Sequence, residues 1–307
     1  MTILFIILLN QAYISLLLDK KIEYRKVKMY DEFISNPANK NLDYVFFGDS
    51  HAENAINPLY IKNSYNFAIG AENYIKSYYK LKKIIKKDNI TIKNIVLEVD
   101  MQTFSERTVS EGLVFDNLYL YRDYISLNNI KKIRKDDSIY KFWIEENFPV
   151  IGNGEEFRFI YFRDLSEIDL GWLNNTGNFS TAEKEISLQR VYDIHYNHKK
   201  RIANLTFEYF LKTLELAKEN NISIILIKYP QSKEFDGYIT ERNVTKDDYY
   251  DYIFKEVDSM GINYRLLDYY DEYFNHTEYF GDPDHLNYVG SKIFSKKVND
   301  DFKNYKK

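Results

Sequence analysis

The sequence predicts an α/β fold, a largely parallel five-stranded sheet with helices on both faces. Short apolar runs suited to strands alternate along the chain with longer segments of helical period, the order that builds βαβ units. One of those runs, Asn94–Val99 (NIVLEV), has the composition of a strand covered on both faces. The chain is also large enough: 307 residues, 45% of them hydrophobic, can bury a sizeable core without disulfides or metals.

The elements follow in order. Residues 3–18 (ILFIILLNQAYISLLL) carry no charge, and residues 1–20 read as an N-terminal hydrophobic helix, anchor or signal-like. As a helix the run spans ~24 Å against a ~30 Å hydrocarbon core, so a short membrane anchor, a signal-peptide core and a buried helix all stay open. Lys20, Lys21, Arg25, Lys26 and Lys28 follow it, and the positive-inside rule would hold that flank in the cytoplasm. An extracytoplasmic globular part is opposed by this charge bias, and one resolution is that basic residues precede Met1.

The α/β domain is expected over 30–307. Asp43–Phe47 (DYVFF) is its first strand and runs into Gly48-Asp49-Ser50-His51. Ser64–Ile69 is the second, ending at Gly70, and residues 73–87 form a helix with a lysine-rich outer face. After the third strand, residues 101–180 hold both tryptophans, Trp143 and Trp172, and read as an insertion. It builds a lid or substrate wall, or is ordinary loop and helix packing. Ser180 and Glu183 have capping-box spacing and open a long helix to about Glu219. Asn221–Ile227 is the fourth strand, 246–259 a helix, Ile262–Leu267 the fifth strand, and Asn287–Phe302 the closing helix.

Composition excludes several classes. With 42 Lys+Arg against 46 Asp+Glu, the net charge of −4 does not suit a nucleic-acid binder. Zero cysteines exclude a disulfide framework, thiolate catalysis and a zinc–thiolate site. No Gly-x-Gly-x-x-Gly or Walker pattern follows a strand, so nucleotide phosphate binding has no support.

In parallel sheets ligands gather beyond the carboxyl ends of strands, which here are Gly48-Asp49-Ser50, Gly70 and Asp100. Ser50 is placed to expose a hydroxyl there as a nucleophile, or to cap a helix. A nucleophilic serine needs a base within ~3 Å and an acceptor on the base's other nitrogen. Gly281-Asp282-Pro283-Asp284-His285-Leu286-Asn287 can supply both: a turn at Pro283 lets Asp282 accept from His285 Nδ1 while Nε2 faces Ser50. Asp284 is the alternative orienter, and the plainer reading is a polar turn with Asn287 as N-cap.

Other candidates are weaker. His195 and His198 suit a surface or capping role, and no third ligand suggests a metal. His51 lines the pocket or packs against backbone, and His276 is a surface residue. Glu53, Glu98 and Asp100 could pair for glycosidase chemistry. The lysine clusters at 79–87 and 131–135 read as solvated faces.

FFGDSHAENAINP, NFAIG and DPDHLNYVGSKIF together resemble the Gly-Asp-Ser, glycine and Asp-x-x-His blocks of the SGNH/GDSL hydrolase superfamily. The His after the serine, the Ile-Asn-Pro and the DHLN-x-x-G ending are most similar to its divergent membrane-anchored members. Those include alginate O-acetyltransferase-like proteins and the D-alanyl-lipoteichoic acid biosynthesis protein. The blocks span residues 45–294, with close matching over about 45 positions. The resemblance implies a three-layer, flavodoxin-like α/β/α fold and cofactor-free serine esterase or O-acyltransferase chemistry. By position, Ser50 is the nucleophile, His285 the general base and Asp282 its orienter, with the Ser50 and Gly70 N–H groups on the oxyanion.

One departure matters. The family's third block offers an Asn donor, but here the strand ends Leu97-Glu98-Val99-Asp100-Met101. Asn73 is the substitute candidate, or the donor is missing. The expected substrate is an acylated carbohydrate or other acyl donor of the cell envelope, with a membrane acyltransferase as partner. The alternative is a non-catalytic envelope-assembly or glycan-binding protein on the same fold.

Overall fold

A computed structural model describes residues 2–16, 22–87, 90–105, 121, 123–134, 143–144, 147–148, 150–151, 168–179, 184–196 and 202–304. By internal contacts the chain forms two compact units, Met1–Asn36 with Phe115–Glu167, and Pro37–Val114 with Ile168–Lys307. The division falls later than the sequence suggested, because a second helix runs on to Ser35 and part of the expected insertion clusters with it. The Ser180–Glu183 capping box, His198 and most of 101–180 lie outside the described residues.

The first unit holds α1 (Thr2–Leu16), α2 (Ile22–Ser35) and a short helix at Leu127–Arg134. Asn10 and Tyr13 of α1 are buried. The Asn10 side chain is satisfied twice, donating to the Asn147 carbonyl at 3.1 Å and accepting from the Val150 N–H at 3.4 Å. On the same helix Leu4, Phe5 and Leu8 are exposed. Among the described residues no helix is long and apolar enough to cross a membrane.

The second unit is the predicted α/β domain. Its elements are β1 (Asn41–Phe47), α3 (Ser50–Ala55), β2 (Ser64–Asn66), α4 (Tyr74–Ile85), β3 (Thr91–Glu98), α5 (Lys184–His195), α6 (Asn204–Glu219), β4 (Ser223–Lys228), α7 (Lys233–Glu241), α8 (Lys246–Ser259), β5 (Tyr264–Asp268) and α9 (Tyr288–Asn304). All five strands are parallel, in the order β2-β1-β3-β4-β5, with Phe46 opposite Asn66 on one side and Val96 on the other. Right-handed crossovers then place α4, α6 and α8 on one face and α3 and α9 on the other. The packing agrees: α4 lies on α6, and α9 on α3. Val45, Phe46 and Phe47 of β1 and Ile95, Val96 and Leu97 of β3 are fully buried, each worth ~1.5–3 kcal/mol.

Three local features depart from expectation for identifiable reasons. β2 stops at Asn66 rather than Ile69. The Asn66 amide donates to the Ala52 and Ile56 carbonyls (2.8 and 3.0 Å) and accepts from the Ala68 N–H (3.0 Å), which pulls the chain off the sheet. The long helix expected to Glu219 is two helices, because Ala203 is extended and gives its N–H to the Phe104 carbonyl at 2.7 Å. A two-stranded hairpin, Ile168–Asp169 with Trp172–Leu173, was not foreseen. Its turn residues Leu170 and Gly171 have φ of 46° and 87°, and a Cβ on Gly171 would stand 1.7 Å from the Asn66 carbonyl oxygen.

The lysine-rich face of α4 is not fully solvated. Lys76 and Lys80 are buried, and Lys80 Nζ meets the equally buried Glu72 carboxylate at 2.5 Å and also the Phe67 carbonyl. Breaking such a pair strands a buried charge. Lys80→Ala is expected to cost ~3–5 kcal/mol in urea unfolding, while the apolar double replacement Lys80→Met with Glu72→Leu restores most of it.

Candidate active site

β2 lies on one side of β1 and β3 on the other, so the order in which strands are laid down reverses between β1 and β3. Beyond the carboxyl ends of those two strands is the crevice where such sheets bind ligands. β1 delivers Gly48-Asp49-Ser50 there and β3 delivers Asp100. A Cβ on Gly48 would stand 2.3 Å from Glu98 Oε2 and 2.8 Å from the Ala52 side chain, so only glycine fits. Glu98 is fully buried and accepts from the Asp49 N–H (2.9 Å), Thr103 Oγ1 (2.8 Å) and Gln102 Nε2 (3.1 Å). Burial and the neighbouring Asp49 and Asp100 push its carboxyl well above the usual range. The helix cap is Asp49, which accepts from the His51 N–H at 2.9 Å. Ser50 opens α3 with its hydroxyl uncommitted to capping.

The structure brings Ser50, His285 and Asp282 together. Ser50 Oγ and His285 Nε2 are 2.7 Å apart, and both Asp282 carboxylate oxygens are 2.9 Å from His285 Nδ1. Asp282 Oδ1 also accepts from the Asp284 and His285 N–H groups (3.1 and 2.8 Å), so the tight turn itself aims the carboxylate. With Nδ1–H facing carboxylates, Nε2 is left to accept the Ser50 proton. Asp284 also approaches, with Oδ1 3.1 Å from Nδ1, and is buried where Asp282 is half exposed. Burial pulls the His285 pKa down, but the two carboxylates outweigh it and push it up to about 10. The loop continues into α9, where Asn287 Oδ1 caps the helix by accepting from Val289 and Gly290 N–H. Ser291 and Ser295 of α9 donate to the Ala55 carbonyl at 3.1 and 3.2 Å, tying the helix that follows His285 to the one that Ser50 opens.

The proposed oxyanion donors fare differently. The Ser50 N–H sits in the first turn of α3, where helix geometry supplies no acceptor. Gly70 abuts Ser50, but its N–H donates to the buried Glu53 carboxylate at 2.9 Å. Asn73 does not reach the cavity. Its Oδ1 caps α4, accepting from the Ile75 and Lys76 N–H groups (3.1 and 3.4 Å).

A cavity of about 260 Å³ opens over Ser50, Asp282 and His285. The rest of its described wall comes from α5, through Ser187, Arg190, Ile194 and His195, and from Ala71 and Glu72 after β2, while from the expected insertion only Gln102 contributes. His195 is therefore a pocket residue, not a surface one, with Nε2 4.0 Å from Asp284 Oδ2. Helical spacing alone could not show which face of α5 meets the sheet. Glu53, Glu98 and Asp100 are buried, internally bonded and absent from the cavity lining, so they make no glycosidase pair.

His51 is buried at 2% exposure behind the Ser50–His285 pair. Its Nδ1 is 3.2 Å from Asp100 Oδ2 and its Nε2 3.2 Å from Asp284 Oδ2. The amides of Gln102 (2.5 Å) and Gln231 (3.2 Å) also face Nδ1. Neither glutamine was singled out from the sequence. Burial opposes charge on His51, but hydrogen bonds to Asp100 and Asp284 raise its pKa well above 6.5, and the two histidines hold Asp284 well below the carboxylate range. The donor atoms of His51, Asp284 and His285 lie within 4.8 Å of one another, as do those of Asp49, His51 and Glu98. In both groups the His51 nitrogens already face Asp100 and Asp284.

No family model matches the chain, and no curated protein matches it. Solved structures do. A putative acylhydrolase from Bacteroides fragilis NCTC 9343 is 14% identical, over 86% of this chain and 87% of that one, with a TM-score of 0.37. A GDSL-like lipase from Bacteroides thetaiotaomicron VPI-5482 is 14% identical, over 92% and 98%, with a TM-score of 0.39. Similarity of this size does not place the chain in a family.

Proposed function

We propose that this chain is a serine-dependent esterase or O-acyltransferase. The observation that carries the reading is the linear array at the switch point: Ser50 Oγ 2.7 Å from His285 Nε2, whose Nδ1 lies 2.9 Å from Asp282. Ser50 Oγ attacks the acyl carbonyl as its proton passes to His285 Nε2. The oxyanion faces the Ser50 N–H, and the Gly70 N–H when Glu53 yields it. His285 then protonates the departing alcohol oxygen, leaving an acyl-enzyme. Water or a sugar hydroxyl attacks that ester, giving its proton to Nε2, and Ser50 is regenerated. Asp282 holds the ring throughout, and no cofactor takes part.

A cavity of about 260 Å³ is at the small end for ligand sites, which favours a short acyl group such as acetyl. The sequence blocks support an acylated cell-envelope or exported carbohydrate as substrate and a membrane acyltransferase as partner. Exposed Leu4, Phe5 and Leu8 on α1 support attachment to a lipid surface. The full chain is then expected to float with anionic phospholipid vesicles and Leu4→Glu/Leu8→Glu to remain in the soluble fraction. Equal flotation of both would refute attachment through α1.

One observation favours the non-catalytic alternative: the Gly70 N–H is held by Glu53, and Asn73 Oδ1 caps α4. Turnover of p-nitrophenyl acetate and of O-acetylated glycans, with fluorophosphonate labelling, decides between them. Labelling at Ser50 with turnover supports the enzyme. A folded chain that neither labels nor turns over is the binding protein.

A further inference from the structure

His51 adjoins the nucleophile in sequence, yet its side chain points away from the cavity into the protein. It meets carboxylates from two directions, Asp100 after β3 and Asp284 in the base's own loop, at 3.2 Å each. Asp284 is the shared member, with Oδ2 on His51 and Oδ1 3.1 Å from His285 Nδ1. The two imidazole rings meet edge to face at 4.8 Å. A buried carboxylate thus bridges two histidines, of which only His285 reaches the serine.

We propose that His51 is a positioning residue for the catalytic pair: as an imidazolium clamped between Asp100 and Asp284, it offsets the charge that Asp284 presents to His285 and so sets the pH at which His285 becomes a base. The proposal rests on the esterase reading of Ser50 and His285. Without a counter-charge, two carboxylates facing one imidazole would keep Nε2 protonated to a higher pH, where it cannot take the proton of serine.

The charged groups around the pair come from several elements, and α5 also brings Arg190 to the cavity that His285 lines. Asp49 and Ser50 flank His51 on its own segment. Glu98 and Asp100 face it from the end of β3, with Glu98 4.0 Å from Nδ1. From α5, His195 approaches the Asp284 oxygen that His51 holds. Asp282 meets the same His285 nitrogen as Asp284, at 2.9 Å. Tyr229 and Tyr249 adjoin through Asp100, one by its N–H and the other by its hydroxyl. Burial raises the pKa of both phenols, which keeps them neutral. Asp100 and Asp284 are the two carboxyl groups that bond the His51 ring, one at each nitrogen.

The test uses the full chain as wild type, His51→Gln and Asp284→Asn. Glutamine keeps a hydrogen-bonding side chain and removes the charge. Two groups ~5 Å apart in a protein interior shift each other's titration by about one to two pH units. In His51→Gln the rising limb of kcat/KM for p-nitrophenyl acetate is expected to move up by that amount. At a fixed pH below the limb the loss is then about 10- to 100-fold, and it narrows as pH rises. In Asp284→Asn the limb moves the opposite way. Losses equal at every pH, or limbs that stay in place, overturn the proposal.

NMR titration of the His285 ring in Ser50→Ala, with and without His51→Gln, needs no turnover. A wild type without turnover sinks the esterase reading, while an unmoved His285 titration sinks the role of His51. If His51→Gln does not fold, His51→Asn, a smaller neutral amide at the same position, repeats the test, and an unmoved His285 titration there overturns the proposal.

Discussion

Ser50→Ala is expected to lower kcat for p-nitrophenyl acetate by at least about a thousandfold and to abolish fluorophosphonate labelling. The reason is local. The only hydroxyl within reach of His285 Nε2 among the described contacts is Ser50 Oγ, at 2.7 Å, and alanine leaves nothing to carry the acyl group. The residual rate comes from the backbone donors and the cavity, which the variant keeps. His285→Ala is expected to cost about as much, and the double variant little more than either single one, because nucleophile and base act as a unit. Additive losses in the double variant would mean that the two side chains do not share a step.

The second large effect is on pH. The base must be neutral to take the Ser50 proton. Burial lowers the His285 pKa, but Asp282 and Asp284 carry it up to about 10. An unperturbed imidazole would place the limb near ~6.5. With this geometry kcat/KM is expected to climb about tenfold per pH unit from neutrality towards pH 10. Stability runs the other way. A histidine whose folded pKa exceeds its unfolded value contributes stability that is complete below ~6.5 and is lost as pH rises through the folded pKa. His285 is therefore expected to make Tm fall over the same alkaline range in which the rate rises. A rate that levels off by pH 7 would show that the carboxylates do not raise His285.

Much of the fold was legible because the signals are local. Strand β3 and helices α4, α8 and α9 declare themselves by composition and period, and the order of elements fixes a parallel sheet. What sequence could not supply was distance. Asp282 and His285 are three residues apart, so their pairing could be argued from a turn. His51 and Asp284 are 233 residues apart, and nothing in either segment says that one holds the other. Gln231 and His195 reach the site by the same long-range folding, without a motif. Lys80 misled because a lysine at helical spacing reads as solvated, and only the fold reveals Glu72 opposite it. Asn73 misled for the opposite reason: its polar side chain was free to be assigned to the site until α4 was seen to need a cap.

The stitching of α9 onto α3 has a consequence in time. The chain meets Ser50 early and His285 235 residues later. At ~5–20 residues per second, a ribosome makes the serine roughly ten to fifty seconds before its base. During that interval β1 can pair with β3, but on the proposed mechanism Ser50 has no base beside it. It gains one only when α9 docks and Ser291 and Ser295 reach the Ala55 carbonyl.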